Sequence, residues 1–415
     1  MKRITAEILT IGDEILYGQI LDTNAQWMSY ELDQLGIRVV RKTTVGDNEK
    51  DILSAFEEAE NRADLVLITG GLGPTNDDLT MPTLAKYFGS DIILDESVLA
   101  HVKDFFEKRG RDFTELNRRQ ALVPKMAEVL HNALGTAPGT WYERDGKVFV
   151  SMPGVPHEMK NLMNEFVIPK VRNFFNSPVI YHRLIKTVGI GESFLADKIK
   201  DWEDSLPSHV ALAYLPSIGH VKLRLTAVGD DREILKQDVQ LLIDQLMPLA
   251  EKYIYGYDKT TLEEAVGQML IAEKKTIAFA ESCSGGFIQH KMTTTPGSSA
   301  YFQGGLVPYH NQFKIDLLGV KAETLEKHGA VSEECVIEMA ERVREKFNAD
   351  IGAASSGIAG PDGGSDEKPV GTVWIAYADG KKTIAKKLQL TQNRILNIEL
   401  TEISVLNLVR KSLKA

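Results

Sequence analysis

The chain has 415 residues and a formal net charge of −10. One ordinary hydrophobic core does not accommodate that length, so we expect two or three domains, each able to enclose a pocket. The acidic balance argues against a general surface for nucleic acids or anionic membranes and favours small molecules or proteins as partners, while leaving room for a local basic pocket that holds a phosphate.

The cysteine content and the apolar runs indicate the compartment. Cys283 and Cys335 are the only cysteines and lack metal-ligand spacing, so neither a disulfide framework nor a Cys-rich zinc site is expected. The N-terminus has no cleavage pattern, and no segment offers about 18 uninterrupted apolar residues. We therefore expect a soluble protein of the reducing cytoplasm, without a membrane or direct nucleic-acid partner.

The first segment alternates strand and helix patterns. The runs "AEILTIG", "IRVVRKTTV" and "DLVLITGG" are typical of strands, and helical patterns cover Asp22 to Leu35 and Glu49 to Asn61. The segment continues through "KVFVSMPGVP" to a closing helix near Phe175. This rhythm predicts a parallel α/β domain, residues 1–175, with ligand loops at the carboxyl ends of the strands.

The middle segment, residues 176–257, has a different order of elements. Two strand patterns, "YHRLIKTVGI" and "HVKLRLTAVG", alternate with helical patterns from Glu192 to Asp201 and from Asp231 to Tyr253. We predict a small α+β domain here. The turn at Gly189 is most simply a strand-to-helix connection.

Residues 258–415 form a second predicted α/β domain. A helix from Thr260 leads into "TIAFAESCSGG", and the strand patterns "DIGAASSG", "VGTVWIAYA" and "TIAKKLQL" precede a helix from Asn393. The turn "AESCSGG" exposes backbone amides at a helix N-terminus, where they suit a phosphate or an oxyanion, although a plain strand-to-helix turn has the same pattern. Cys283 in this turn is either a thiolate nucleophile or a small buried residue.

The stretch "PGSSAYFQGGLVPYHNQFK" offers a second nucleophile. Ser299 needs a base, and Lys314 follows a turn and a strand that could bring it back toward the serine. A buried lysine loses its proton below the usual lysine pKa of about 10.4 and then accepts a proton from a hydroxyl. Tyr309 could position or relay that proton. His310 is an alternative base, and Lys314 could instead be a solvated helix residue.

Four ordered motifs in this domain, "AESCSGG", "PGSSAYFQGGLVPYHNQFKIDLLGV", "HGAVSEE" and "SGIAGPDGGSDEKPVGTVW", resemble the nicotinamide-nucleotide amidase domain of the competence/damage-inducible CinA family. The resemblance implies metal-free hydrolysis of nicotinamide mononucleotide to nicotinate mononucleotide and ammonia. By position, Ser299 matches the nucleophile, Lys314 the base and Tyr309 an assisting hydroxyl. Only one arginine stands in "TQNRILNIEL", where the family often has two. The expected substrate-binding residues are Ser282, Ser284, Gly285, Gly286, Ser356, Gly357 and Arg394.

Two glycine- and aspartate-rich loops follow apolar strands in the first domain, "IGDEILYGQILDTN" and "ITGGLGPTNDDLT". Glycines allow backbone amides to approach a pyrophosphate, and carboxylates can hold a divalent ion that bridges it, although aspartates in turns also serve as helix caps. The expected phosphate-binding residues are Gly70, Gly71 and Gly73, and the expected metal ligands are Asp13, Asp47, Asp77 and Asp78, with Glu14 beside them.

These loops and "MPGVPHEM" resemble the molybdopterin-binding-like domain that begins CinA proteins, and the middle segment resembles their KH-like domain. The resemblance implies a metal-dependent ADP-ribose pyrophosphatase in the first domain, a cofactor-free amidase in the last, and a homodimer. The expected substrates are therefore ADP-ribose and nicotinamide mononucleotide, in pyridine-nucleotide salvage. The alternative is a non-catalytic protein of the competence or DNA-damage response with degenerate sites.

Overall fold

The computed structural model describes residues 4–175 and 179–414 of the chain. They form two compact units. The first runs up to Tyr181 and includes Ala227–Lys236, and the second comprises His182–Thr226 and the chain from Gln237 onward. No helix within the described ranges is long and apolar enough to span a membrane.

The first unit is built on a mixed six-stranded sheet. Its strands are Thr5–Ile11 (β1), Arg38–Val45 (β2), Leu65–Thr69 (β3), Glu128–Leu130 (β6), Gly139–Arg144 (β7) and Lys147–Met152 (β8), and a two-stranded ribbon joins Ile92–Leu94 (β4) to Leu122–Pro124 (β5). The sheet order is β2-β1-β3-β8-β7-β6, with the first four strands parallel. Strand β3 is buried along its whole length because helices cover both faces.

The helices of this unit carry apolar stripes that pack on the two faces of the sheet. They are Asp13–Leu16 (α1), Thr23–Gln34 (α2), Glu49–Arg62 (α3), Thr80–Phe88 (α4), Glu96–Glu107 (α5), Glu115–Arg118 (α6), Pro156–Leu162 (α7) and Ile168–Phe175 (α8). Helices α2, α7 and α8 share one hydrophobic cluster with the sheet, and α3 and α4 share another on the opposite face. The predicted α/β fold is therefore confirmed, although the antiparallel strands β7 and β6 make the sheet mixed rather than wholly parallel.

The middle of the chain forms a four-stranded sheet with order β10-β11-β9-β12, which comprises Val179–Val188 (β9), Val210–Ser217 (β10), His220–Gly229 (β11) and Ile254–Tyr257 (β12). Helices Glu192–Asp204 (α9) and Arg232–Ala250 (α10) complete it. His182 Nδ1 lies 2.9 Å from Thr226 Oγ1, and the Thr187 hydroxyl donates to the Val221 carbonyl at 2.7 Å, so β9 and β11 run antiparallel. Strands β10 and β12 were not predicted, because β10 is largely exposed and β12 has only four residues, one of them glycine.

The C-terminal region contains a five-stranded sheet with order β14-β13-β15-β16-β17. Strands β13, β14 and β15 are parallel, and β16 and β17 are antiparallel additions. The strands are Ile277–Glu281 (β13), Phe302–Leu306 (β14), Ile351–Gly357 (β15), Thr372–Ala378 (β16) and Thr383–Gln389 (β17). The helices are Leu262–Ala272 (α11), Phe287–Thr293 (α12), Asn311–Phe313 (α13), Ala322–His328 (α14), Glu333–Lys346 (α15) and Arg394–Lys414 (α16).

Two hydrophobic clusters cover the faces of this sheet. Helices α11, α12 and α16 contribute to one cluster, and α15 contributes to the other. The carboxyl ends of β13, β14 and β15 consequently meet at one edge, with loops free to carry polar groups. This arrangement confirms the predicted second α/β domain.

Candidate active sites

The first unit has a cleft of about 540 Å³ at the carboxyl ends of its parallel strands. The loops after β1, β2, β3 and β8 all reach this edge because those strands are parallel. Asp47 and Asp77 line the cleft, together with Glu14. This placement brings the glycine turn after β3 and several predicted acidic residues to one side of the sheet.

The four predicted metal ligands do not play equal parts. Asp47 Oδ2 accepts a hydrogen bond of 3.1 Å from the Asp13 backbone amide. Partial burial raises the pKa of Asp47, the Asp13 amide opposes that shift, and the charges of Asp13, Glu14 and Asp77 add to it. Asp78 instead closes its own loop, because its carboxylate accepts from the amides of Gly73 at 2.7 Å and Thr75 at 2.9 Å.

A divalent ion at these residues would have to be completed by substrate. Among residues 4–175 and 179–414, no three His, Cys, Asp or Glu side chains are gathered closely enough to form a ready-made ion cage. Mg²⁺ commonly takes only one or two carboxylates and fills its shell with water and substrate phosphates. The mutual repulsion of Asp13, Asp47 and Asp77 would be relieved by such a cation.

The glycines after β3 are required by close contacts. A Cβ on Gly70 would lie 2.0 Å from the Ile11 carbonyl oxygen, and one on Gly73 would lie 2.5 Å from an Asp78 carboxylate oxygen. The Gly70 amide donates to Met152 O, and the Gly73 amide donates to Asp78. For Gly71, no acceptor of its amide is found within the described ranges, so of the three predicted phosphate-binding amides this one is available to a ligand.

In the second unit, Lys314 lies in the protein interior at the edge where β13, β14 and β15 end. Its side chain is 1% exposed. The amine donates to Ser282 Oγ at 3.2 Å, Pro308 O at 2.9 Å and Tyr309 O at 3.2 Å. Burial lowers the pKa of Lys314, and no carboxylate is among the groups that perturb it. Burial therefore makes the neutral form of this amine, beside a serine hydroxyl, more accessible than that of an exposed lysine.

Cys283 is the buried alternative foreseen from the sequence. Its side chain is 5% exposed, and burial raises the pKa of its thiol to about 12. Cys335 is likewise buried, and both cysteines are free. A thiol with so high a pKa is a poor nucleophile near neutral pH.

The turn after β13 is fastened by Glu281. This fully buried carboxylate accepts from the amides of Gly286 at 3.0 Å, Ile288 at 3.1 Å and Gln289 at 2.8 Å. The expected supply of oxyanion donors is smaller for that reason, because Gly286 is already bonded and the Gly285 amide donates to Ser282 O. Within the described chain the amides of Cys283 and Ser284 have no acceptor, so these two remain available.

Ser299 does not meet Lys314 within one chain. It lies in a short helical turn, Ser298–Ala300, before β14, and its side chain is exposed. Lys314 follows the opposite end of the same strand, and five residues at about 3.3 Å each separate the two ends by roughly 16 Å. The hydroxyl that the single chain places beside the lysine is Ser282.

The other predicted residues fall into two groups. Arg394 Nη2 donates to the Tyr309 hydroxyl at 3.0 Å, and its Nη1 donates to Gly360 O at 2.7 Å, so these two predicted residues are in contact. The buried Ser356 and Ser284 bind within the protein instead, with Ser356 Oγ donating to Ala330 O at 2.5 Å and Ser284 Oγ lying 2.7 Å from Ser355 Oγ. Gly357 ends β15 beside them.

His310 has a structural role. The His310 ring accepts a hydrogen bond from the Gln312 amide at the start of α13, which occupies one nitrogen of the alternative base.

The sequence did not predict two residues of the site. These are Pro308, whose carbonyl helps to hold Lys314, and Glu281. A carbonyl acceptor leaves no signal in sequence. Glu281, the only charged residue in an otherwise apolar strand, could have been noticed.

The two units define the class of protein as a multidomain α/β protein with candidate ligand sites at the carboxyl edges of two sheets. Residues 7–173 match the family described as "Probable molybdopterin binding domain", residues 182–256 match "Damage-inducible protein CinA KH domain", and residues 259–413 match "CinA C-terminal domain". The chain belongs to the CinA family.

Relatives match over nearly the whole chain. A CinA-like protein from Cytophaga hutchinsonii is 53% identical over 411 residues, covering 99% of this chain and 98% of the relative. A CinA-like protein from Flavobacterium psychrophilum is 44% identical, covering 94% of each chain. A crystal structure titled as the protein CinA with unknown function from Thermoplasma acidophilum is 37% identical, covers 41% of this chain and 99% of its own, and has a TM-score of 0.38.

Proposed function

We propose that the second unit is an amidase that hydrolyses nicotinamide mononucleotide to nicotinate mononucleotide and ammonia. The observation that carries the proposal is the buried Lys314 amine, which is held by two carbonyl oxygens, has a lowered pKa, and contacts a serine hydroxyl at a strand edge. An amine of that kind can accept a proton from an attacking hydroxyl and return it to the departing ammonia.

The predicted nucleophile, Ser299, acts in this proposal from a second copy of the chain. Because Ser299 is exposed and lies at the far end of β14, Lys314 of the same chain cannot act as its base. The expected homodimer would supply it from the partner. Ser282 then holds the lysine amine, and Arg394 with Tyr309 offers a cationic, hydrogen-bonding side for the nucleotide.

The chemical steps balance without a cofactor. The serine oxygen attacks the carboxamide carbon while Lys314 takes the hydroxyl proton, and the Cys283 and Ser284 amides, which have no acceptor within the described chain, would stabilise the oxyanion. The carbon–nitrogen bond breaks as the lysine proton passes to the leaving ammonia, with Tyr309 assisting. Water then cleaves the acyl-serine ester by the same base, which releases nicotinate mononucleotide.

The test measures ammonia release from nicotinamide mononucleotide by the full chain and by single variants. We expect Lys314→Ala and Ser299→Ala each to be inactive, and an equal mixture of the two, after subunit exchange, to regain about a quarter of wild-type activity, because half of randomly formed dimers are mixed and each mixed dimer has one intact site. Activity of Ser299→Ala alongside inactivity of Ser282→Ala would instead assign the attack to Ser282. A wild-type protein that releases no ammonia would support the non-catalytic alternative.

We further propose that the first unit hydrolyses ADP-ribose at its pyrophosphate. Asp13, Asp47 and Asp77, with Asp78 as the loop closure, would hold a divalent ion, whose contribution is to neutralise charge on the phosphates. The Gly71 amide would donate to a phosphate oxygen. The proposal is supported by the cleft and by the repulsion among its carboxylates.

This second activity has an independent test. We expect Asp77→Asn and a chelator each to abolish ADP-ribose cleavage by the full chain while ammonia release from nicotinamide mononucleotide continues. If ADP-ribose cleavage persists both in Asp77→Asn and with the chelator, the activity lies elsewhere or needs no metal ion.

A further inference from the structure

The second unit contains another cleft, of about 550 Å³, separate from the Lys314 site. Strands β9, β11 and β12 supply one wall, and helices α11, α12 and α16 supply the other. We call it the basic cleft, after Lys186, Lys222 and Lys291, which line it. Neither proposed activity uses any of these residues.

Two lysines of the basic cleft lie directly opposite each other on neighbouring strands. In the antiparallel register of β9 and β11 described above, Lys186 is the cross-strand partner of Lys222. Their side chains therefore project from the same face of the sheet. Like charges in that arrangement destabilise a sheet, so the pair needs a reason outside the fold.

The ammonium groups of the basic cleft form no close ion pair within the described ranges. The Lys186 amine donates to Thr260 O at 2.8 Å, and the charges of Glu264, Asp258 and Glu263 only partly oppose the fall in its pKa. Over the described ranges, Lys222 has neither an ion pair nor a hydrogen bond of its side chain, and the Lys291 amine lies 5.5 Å from the Phe287 ring centre without a paired carboxylate. Burial lowers the pKa of Lys186, and the charge of Lys222 lowers it further.

The neighbouring His220 adds an unsatisfied group to the same wall. Its Nδ1 atom is buried and has no hydrogen-bond partner within the described chain. Burial lowers the pKa of His220, and the charges of Lys222 and Lys186 lower it further. An anion in the basic cleft would give all these nitrogen atoms an acceptor.

The helical wall of the basic cleft carries carboxyl groups beside Lys291. Glu263, Glu399 and Glu402 line it, and the rings of Tyr255 on β12 and Phe287 on α12 also line the cleft. Carboxylate oxygens bind hydroxyl donors, and aromatic rings bind flat or apolar parts of a ligand. The cleft thus offers ammonium groups from both walls and acceptors from the helices.

We propose that the basic cleft binds a phosphate monoester that also carries hydroxyl groups, as sugar phosphates and mononucleotides do. The phosphate lies against Lys186, Lys222 and Lys291, and the hydroxyl groups donate to the carboxylates of Glu263 and Glu399. Phosphate is the group that best matches several converging ammonium groups, because each contact is a charge-assisted hydrogen bond. Because this site lies apart from the Lys314 amine, it does not depend on the proposed amidase activity.

The first test uses pyridoxal 5′-phosphate on the full chain, followed by borohydride reduction and peptide mass spectrometry. Its aldehyde condenses with a lysine amine with loss of water, and reduction makes the link permanent. We expect Lys186, Lys222 or Lys291 to be modified on the order of tenfold faster than by pyridoxal, which lacks the phosphate, since a hydrogen bond to a charged group is worth at least that factor. Inorganic phosphate should protect these lysines and leave the exposed Lys198 of α9 unaffected.

Equal modification by pyridoxal and pyridoxal 5′-phosphate, or no protection by phosphate, would overturn the proposal. A second measurement avoids covalent chemistry. In phosphate-free buffer of low ionic strength, Lys222→Gln should unfold at a higher temperature than wild type, because the opposed charges are relieved. Added inorganic phosphate should raise the wild-type midpoint more than that of Lys222→Gln, with Lys198→Gln behaving as wild type. Equal responses of wild type and Lys222→Gln to phosphate would contradict the site.

Discussion

Glu402 permits a quantitative prediction about pH and stability. It lies on α16, its side chain is 5% exposed, and burial, reinforced by the charge of Glu263, raises its pKa from 4.5 to about 8. Near neutral pH it is therefore mainly protonated in the folded chain and ionised in the unfolded chain. The unfolded state binds fewer protons than the folded state between those two pKa values, so stability falls as pH rises through this window.

The size of the effect follows from the difference of about 3.5 units between the two values. At about 1.4 kcal/mol per unit, the full loss between pH 4.5 and pH 8 is at most roughly 5 kcal/mol. Glu402→Gln replaces the buried acid by a neutral amide of the same shape and removes this proton linkage. We expect the variant to be more stable than wild type by about 3 kcal/mol at pH 7, with the advantage shrinking as pH falls toward 4.5.

The assay compares urea unfolding of wild type and Glu402→Gln at intervals between pH 4.5 and pH 9, so that all other titrating groups cancel in the difference. Carbon-13 NMR of labelled glutamate side chains, with Glu402→Gln identifying the resonance, reports the pKa directly. Glu326→Gln, at an exposed position of α14, controls for the loss of one carboxylate. Parallel stability curves for Glu402→Gln and wild type from pH 5 to pH 8 would refute the reasoning.

The remaining predictions concern the proposed base, the thiol and the packing of the C-terminal domain. Only neutral Lys314 can accept a proton, and burial lowers the pKa of Lys314 below the usual lysine value. The value of kcat/KM for ammonia release should therefore fall as pH is lowered through that pKa. Lys314→Arg should lose at least about a hundredfold in rate at every pH. Cys283→Ala should keep ammonia release within about tenfold of wild type, since the buried thiol is not the proposed nucleophile. A larger loss would indicate that the nucleophile lies in the turn after β13. Gly352→Ala should lower the free energy of unfolding by about 1–3 kcal/mol in denaturant titration, because the added Cβ would lie 2.0 Å from the Ala340 carbonyl oxygen. The control Gly191→Ala should unfold nearly as wild type does, because its Cβ would meet nothing closer than 3.5 Å.

The sequence predicted the sheets well because their strands are distinctive. Strands β1 and β3 are short apolar runs that end at glycine, and that pattern predicts central parallel strands with a ligand edge. Strand β12 was missed because four residues around a glycine carry almost no periodicity. The fold therefore followed from patterns within single elements.

The site was less predictable because it depends on which end of a strand a residue occupies. Ser299 and Lys314 are fifteen positions apart, and the sequence alone allowed them to meet, whereas strand β14 lies between them and sends them to opposite ends. The sequence left open whether Lys314 is buried or solvated, because its acceptors are backbone carbonyls, which leave no pattern. The basic cleft joins residues more than a hundred positions apart, and no local pattern indicates it.

Arg410 shows where the chain can be cut. Its guanidinium is 1% exposed and donates to the carbonyls of Ile254 at 3.1 Å and Lys252 at 2.7 Å, which precede the C-terminal domain in sequence. A fragment that begins at residue 258 would lose both carbonyl acceptors and retain Asn407 Oδ1, at a cost on the order of 1–3 kcal/mol for each lost hydrogen bond. It would also lose the strand wall of the basic cleft. Truncation for expression or crystallisation should therefore begin before β9, so that the carbonyl acceptors of Arg410 remain with the C-terminal domain.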